Sequence, residues 1–344
     1  MVMRPAVKNL ILFTVILASV VAFSVYRTFF FPNVGVGSGG GVLHIISGAG
    51  FDEVVDSLKS GRLIINEKSF RLAAKARKYT EVIRPGRYLI EEGMSNYRLI
   101  NMLRAGMQEP VRITFNNVRT IHEFAGRIGR QIEADSAVLV QFLEDESNYS
   151  SDGFRKETVM AVFIPDTYEV YWNITPRGFY QRMLREYNGF WNDERRARAG
   201  ARNLTPVEVS IIASIVDDEV AKEDEKPRIA GVYLNRLRTG MPLQACPTIK
   251  FALNDFTITR VLNEHMLVDS PYNTYKYRGL PPGPVRFPTI SGLDAVLNAE
   301  KHEYLYFSAK ADFSGYHNFS RTLAEHNRYA AEYHRELNRR GIYR

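Results

Sequence analysis

"LTPVEVSIIASIVDDE", Leu204 to Glu219, carries the marks of a helix at its start and along its length. Thr205 stands before Pro206, whose fixed φ and missing N–H suit a first helical position. Glu208, three residues after Thr205, completes a capping box in which each side chain serves the other's backbone N–H. Ile211, Ile212, Ile215 and Val216 then recur at helical spacing. At about 100° per residue, Glu219 falls within about 40° of Ile212 and Ile215, inside the apolar stripe. The same wheel puts Asp218 on the flank and Asp217 on the solvent side, and sends both, with Glu223, Asp224 and Glu225, toward water more readily than Glu219. A carboxylate on a buried row needs a reason. One is ordinary: a packed stem with the head in water. The other is chemical: desolvation keeps such an acid protonated near neutrality and able to donate its proton. Cleavage of a glycosidic bond asks this of its acid.

The whole chain has 344 residues, 45% hydrophobic and 24% charged, enough for two or more domains. A net charge of +7 suits an anionic polymer or a membrane surface as well as nucleic acid. No dense Lys/Arg block, zinc spacing or helix-turn-helix signature supports nucleic acid. Cys246 is the single cysteine, which excludes an intrachain disulfide. Its pairing with His265, His302, His317 or His326 as a thiol nucleophile rests on scattered residues only, and the histidines lack metal-ligand spacing. No charge interrupts Asn9 to Tyr26, and Thr28 to Phe31 extend the apolar run past Arg27. That length suits an uncleaved membrane span of about 20 residues, and no Ala-x-Ala cleavage site follows it. Arg4 and Lys8 precede it; after Arg27 no Lys or Arg comes before Lys59. The asymmetry sets residues 1–8 in the cytoplasm, 9–31 in the membrane and the rest outside.

"NVGVGSGGG", within residues 32–41, reads as a flexible linker. Residues 42–110 alternate strand and helix patterns: strands at 42–46 and 86–90, helices opening near Phe51 and Glu67, and a helix from Ser95 to a glycine stop at Gly106. Residues 111–344 form a mixed helix-and-strand region, so the fold class is α+β. Its loops offer a sugar-binding wall. Tyr272, Tyr275 and Tyr277 present ring faces, while Asn235, Gln244, Asn273, Thr274 and Asn318 present amides or hydroxyls. Pro281, Pro282, Gly283 and Pro284 make a stiff loop. Asp166, after Pro165, reads as a cap or turn residue on its own.

Five stretches in order, "FIPDTY", "ASIVDDE", "VYLNRLRTGMPLQACPT", "YNTYKYRGLPPGPV" and "YHNFSRTLAEHN", resemble the endolytic murein transglycosylases of the YceG-like family. The resemblance runs from about Val42 to the C-terminus. It implies a bacterial inner-membrane enzyme, its bulk in the periplasm, with a LysM-like module at 42–110 and a YceG-like catalytic domain at 111–344. The catalytic acid would be Glu219, the second acid of the family's Ser-Ile-Ile/Val-Glu-x-Glu helix. The substrate would be peptidoglycan glycan strands, cut at the MurNAc–GlcNAc β-1,4 bond by attack of the sugar's own C6 hydroxyl, without metal or cofactor. Asp166, in "FIPDTY", would join the substrate-binding residues, and peptidoglycan synthases would be working partners. A hydrolytic muramidase on the same site and an inactive anchored binding protein are the alternatives. The chain departs from the pattern at Asp217, where the family has glutamate, at Asn116-Asn117, where Glu-Gly is common, and at Cys246, where the family has aspartate.

Overall fold

The N-terminal apolar run forms one helix, α1 (Pro5–Phe30), in the computed structural model, which describes residues 5–37 and 40–341. At 1.5 Å per residue its length exceeds the roughly 30 Å hydrocarbon core of a bilayer. None of its residues is buried, and it is long and apolar enough to cross a membrane. Arg4, part of the expected cytoplasmic segment, lies outside the described residues.

Two compact units make up the chain: residues up to 112 with 131–134 and 169–174, and the remainder. In the first, β1 (Gly41–Ile45), α2 (Phe51–Ser60), α3 (Glu67–Ala76), β2 (Gly86–Ile90) and α4 (Asn96–Ala105) follow α1. β1 and β2 pair antiparallel, with Leu43 opposite Tyr88 and both side chains buried. Alternate residues of each strand thus face a core with Leu58, Phe70, Tyr79, Leu99 and Leu103. Gly106, at φ 70°, ends α4 in the left-handed conformation that glycine adopts without a Cβ clash. The linker expected from residue 32 is held at its start. Pro32 bridges to Ser95, and Asn33 donates to Asn96 Oδ1 (2.7 Å) and accepts from Asn66 N (2.8 Å).

The strands β3 (Val111–Thr114) and β4 (Thr167–Val170) each have residues in both units, and the second unit takes α5 (Ile121–Ile128), α6 (Ser136–Glu144), α7 (Pro176–Phe190), α8 (Asp193–Gly200), α9 (Pro206–Glu219), α10 (Lys226–Arg238), α11 (Cys246–Leu253), α12 (Ile290–Leu297), β5 (Tyr306–Ala309), β6 (His317–Ser320) and α13 (Leu323–Arg339). β3 pairs with β4, and β5 runs antiparallel to β6. Helix and sheet are mixed, as an α+β reading requires. Phe124 centres an aromatic cluster, with Phe115, Phe163 and Phe287 at 4.9, 4.7 and 4.7 Å between ring centroids.

α9 is the central strut. It packs on α8, α10, α11 and α12, and every residue from Val209 to Val216 is buried. The capping box forms as expected: Glu208 N donates to Thr205 Oγ1 (3.3 Å) and Thr205 N to Glu208 Oε2 (2.7 Å). Ser210 and Ser214 lie inside because each donates to a carbonyl one turn back. A helix buried all round has no solvent side. Three readings of the wheel are corrected. The side chains of Asp217 and Asp218 are 1% and 9% exposed instead of facing water. Glu225, buried beyond the end of α9, accepts from His317 N (3.0 Å) and lies 2.8 Å from His317 Nδ1. α11 is a helix that the sequence analysis did not place, and no side-chain cap at its start signals it.

Candidate active site

Three carboxylates end α9 in succession, at the helix terminus where the macrodipole disfavours negative charge. Each meets a different environment. Asp217 accepts from Thr289 N (2.7 Å) and Thr289 Oγ1 (2.8 Å), and pairs with Lys226 Nζ at 2.9 Å. Gly292 makes room for it, since a Cβ there would collide with the carboxylate. Asp218, 9% exposed, is gripped by Arg119 (2.8 Å) and Arg286 (3.1 Å). Arg286 also donates to Asp217 O (3.3 Å), satisfying a carbonyl that the helix end leaves open.

Glu219 alone has no hydrogen bond or ion pair among the described residues. Val220 turns to extended backbone (φ −135°, ψ 131°) immediately after it, so the acid sits on the lip of the helix. Desolvation of its half-buried carboxyl group, and next the charge of Asp218, push its pKa up to about 7; Lys250 and Arg236 pull against that rise. Around it stand Tyr233 and Arg236 from α10, Cys246 and Lys250 from α11, and Tyr275. Arg236 is fixed by Leu305 O (2.7 Å) and by Leu243 O. Tyr233 is buried, its ring edge-on to Phe307, and its hydroxyl has no partner among the described residues. Cys246 Sγ lies 3.3 Å from Tyr275 Oη. Burial and then the nearby Glu219 push the thiol up, which keeps it a thiol and speaks against a nucleophile. Tyr275 is raised by burial and by Cys246. Neutral protic groups therefore face a single unpaired acid.

The expected wall is only partly gathered here. Tyr275 reaches the acid. Gln244 stands exposed two residues before Cys246, in a left-handed conformation (φ 49°) with its N–H on Thr274 O (3.0 Å). A non-glycine residue held there carries strain that the surrounding loop must sustain. Thr274 is buried: its Oγ1 accepts from Ala245 N (3.1 Å) and meets Thr248 Oγ1 at 2.8 Å. Asn273 is buried with its amide saturated: Nδ2 donates to Met266 O and Val268 O, and Oδ1 accepts from Tyr275 N and Lys276 N. These two side chains brace the loop that presents Tyr275. Tyr272 packs on Phe251 (4.6 Å) and lines a cavity of about 290 Å³ with Thr120, His122 and Glu157, while burial pushes its pKa up to about 12. Asn235 turns away on α10, donating to His302 O (2.8 Å) and Tyr304 O (3.1 Å). Asn318 lies on β6 opposite Ser308. Asp166 is exposed and accepts from Thr167 N (2.7 Å). Tyr277 donates to Asp269 (2.7 Å).

Sequence reasoning missed Tyr233, Arg236, Lys250 and the Arg119–Asp218–Arg286 clamp. A signal existed for two of them: Ile229, Tyr233 and Arg236 share one face of α10, and a cation on an apolar row implies a buried partner.

The chain is 27% identical to the endolytic murein transglycosylase of Bacillus subtilis (strain 168) over 307 residues, 85% of this chain and 84% of that protein. It is 28% identical to the endolytic murein transglycosylase of Streptococcus pneumoniae serotype 2, covering 84% of this chain and 57% of that longer protein. The crystal structure of a YceG-like protein from Listeria monocytogenes superposes with a TM-score of 0.56 at 26% identity, over 83% of this chain and 97% of its own. The family model for YceG-like proteins matches residues 43–332, and the chain therefore belongs to the YceG-like family.

Proposed function

We propose that this chain is an endolytic murein transglycosylase that cuts glycan strands of peptidoglycan at the MurNAc–GlcNAc β-1,4 bond. The observation that carries the reading is Glu219: one half-buried acid at the end of α9, with no hydrogen bond or ion pair among the described residues and its pKa pushed up to about 7 beside neutral protic groups. Glu219 gives its proton to the departing oxygen as the C1–O bond breaks. The C6 hydroxyl of the same MurNAc closes on C1, and its proton passes to the Glu219 carboxylate. One residue is acid and then base, no water is consumed, and the product ends in 1,6-anhydro-MurNAc. A substrate-borne nucleophile explains why no second free carboxylate stands beside Glu219: Asp217 and Asp218 are both engaged by cations.

In this reading Gln244 and Tyr275 contact the sugar nearest the acid, and Tyr233 offers its unpartnered hydroxyl there. Tyr272, Asn235, Asn318 and Asp166 serve more distant parts of the strand, and Asn273 and Thr274 act by holding the loop. Residues 42–110 act as a LysM-like module, and α1 anchors the chain in the cytoplasmic membrane with the bulk of it outside. The chain would then act beside the synthases that extend the strands.

Mass spectrometry of strands incubated with the full chain tests the chemistry. Internal cuts ending in 1,6-anhydro-MurNAc are expected. Ordinary reducing ends would replace this reading with a muramidase, and binding without cleavage would replace it with an anchored binding protein. The pH profile is a second check. The acid must be protonated, so kcat/KM is expected to fall about ten-fold per unit as pH rises above about 7. An alkaline limb beginning near pH 4.5 would mean that the pocket does not hold the proton.

A further inference from the structure

α1 passes into the first unit without a free joint. Phe29 packs against that unit's core, Asn96 Nδ2 donates to Thr28 O (2.8 Å), and Phe30 lies 5.3 Å from the ring of Tyr97. Tyr97 carries the guanidinium of Arg77 4.9 Å from its centroid. It also lines a groove of about 710 Å³ with Leu89, Met94, Arg98, Met102 and Met107. The apolar surface of α1 therefore continues, through Phe30 and Tyr97, into this groove. Leu89 is 41% exposed and Met107 66%, so these two apolar members of the lining are uncovered, with Met94 buried beneath. Flexible methionines fit an irregular, mobile hydrocarbon better than a rigid shape. They offer a sugar almost no hydrogen bonds, whereas Arg98, Asn101 and Gln108 put donors among lining residues that also include Glu109 and Glu91, the latter paired with Arg98 at 2.7 Å.

We propose that this groove holds one acyl chain of a phospholipid from the leaflet around the C-terminal end of α1, with the headgroup against those donors. The proposal rests on α1 as a membrane-spanning helix. A tyrosine touching the last residue of the span sits at headgroup depth, where such rings concentrate. A groove opening at Tyr97 then lies within reach of the upper acyl chain.

The test uses the full chain in nanodiscs of phosphatidylethanolamine and phosphatidylglycerol, a fraction of it carrying a photoreactive diazirine in the acyl chain. After illumination, labelled peptides are located by mass spectrometry. Label is expected on α1 and on peptides within residues 86–109. Leu89→Glu with Met107→Glu, both at exposed positions, should lower the second label about ten-fold while leaving the first unchanged. Label on α1 alone, or groove label that the variants do not reduce, would overturn the proposal and leave the anchor standing. Groove label displaced by chito-oligosaccharide would reassign the groove to glycan. Label on neither would remove the anchor as well.

Discussion

Glu219→Gln is expected to lower strand cleavage by about 10²- to 10⁴-fold, the usual contribution of a positioned general acid. The substitution keeps shape and removes only the transferable proton. Because Glu219 makes no hydrogen bond or ion pair among the described residues, the variant loses no partner, and the loss belongs to the chemical step. Linkage gives an independent readout. The folded pKa of about 7 is raised above the ordinary 4.5, so between these values the folded state binds more protons than the unfolded one. Stability of the wild type therefore falls as pH rises through that window, by up to about 3 kcal/mol for a shift of this size. Glu219→Gln should abolish that decline. Urea unfolding in detergent at pH 5 and pH 8, followed by tryptophan fluorescence, measures it. An active variant would move the acid elsewhere. A variant with the wild-type decline would mean that another group holds the proton.

What the sequence made legible was local. Thr205, Pro206 and Glu208 sit within one turn, so α9's start was readable from three residues, and Asn9–Tyr26 needed only its lack of charge. Glu219 on the apolar row was readable for the same reason: periodicity alone placed it. The failures share a cause in tertiary burial. A helical wheel assumes one wet face, and α9 has none, so Asp217 was sent outward when Lys226 and Thr289, nine and seventy-two residues away, wait for it inside. α11 lacks a side-chain cap and covers only Cys246–Leu253, too short for a periodic signal to emerge from the surrounding loops. Asn273 and Thr274 looked like sugar ligands because their residue types suit that role. Only the loop's own backbone groups reveal that their polar atoms are already engaged.

The three carboxylates of α9 show how neighbouring residues acquire different duties. Their intrinsic acidities are close, and the macrodipole opposes all three. Cations reach two of them. Lys226 arrives from the next helix, and Arg119 and Arg286 from separate loops, so Asp217 and Asp218 are paired and tie the end of α9 to its surroundings. The third is left among Tyr233, Cys246 and Tyr275, whose protons are all held tightly. Lys250 and Arg236 are near enough to moderate its pKa but form no ion pair with it. An acid that must release and recover a proton near neutrality needs that intermediate balance.

Lys226→Met tests the support beneath this arrangement and should cost about 3–5 kcal/mol of stability, the range for removing one partner of a buried pair. Lys226 Nζ, its side chain 5% exposed, holds Asp217 (2.9 Å), Glu223 (2.8 Å) and Ser291 Oγ (2.9 Å). Without it, Asp217 keeps the two Thr289 hydrogen bonds but stands as a buried charge with no counter-ion. The remedy should be removal of the stranded charge. Asp217→Asn can still accept from Thr289, so the double variant is expected to recover at least half of the loss, a coupling that a purely apolar role for the lysine stem would not produce. Urea midpoints of the wild type, the two single variants and the double variant close the cycle. Additive losses would mean that Lys226 contributes through packing alone. Strong coupling with activity restored in the double variant would assign the pair to holding Glu219 in place, two residues beyond Asp217 on the same helix end.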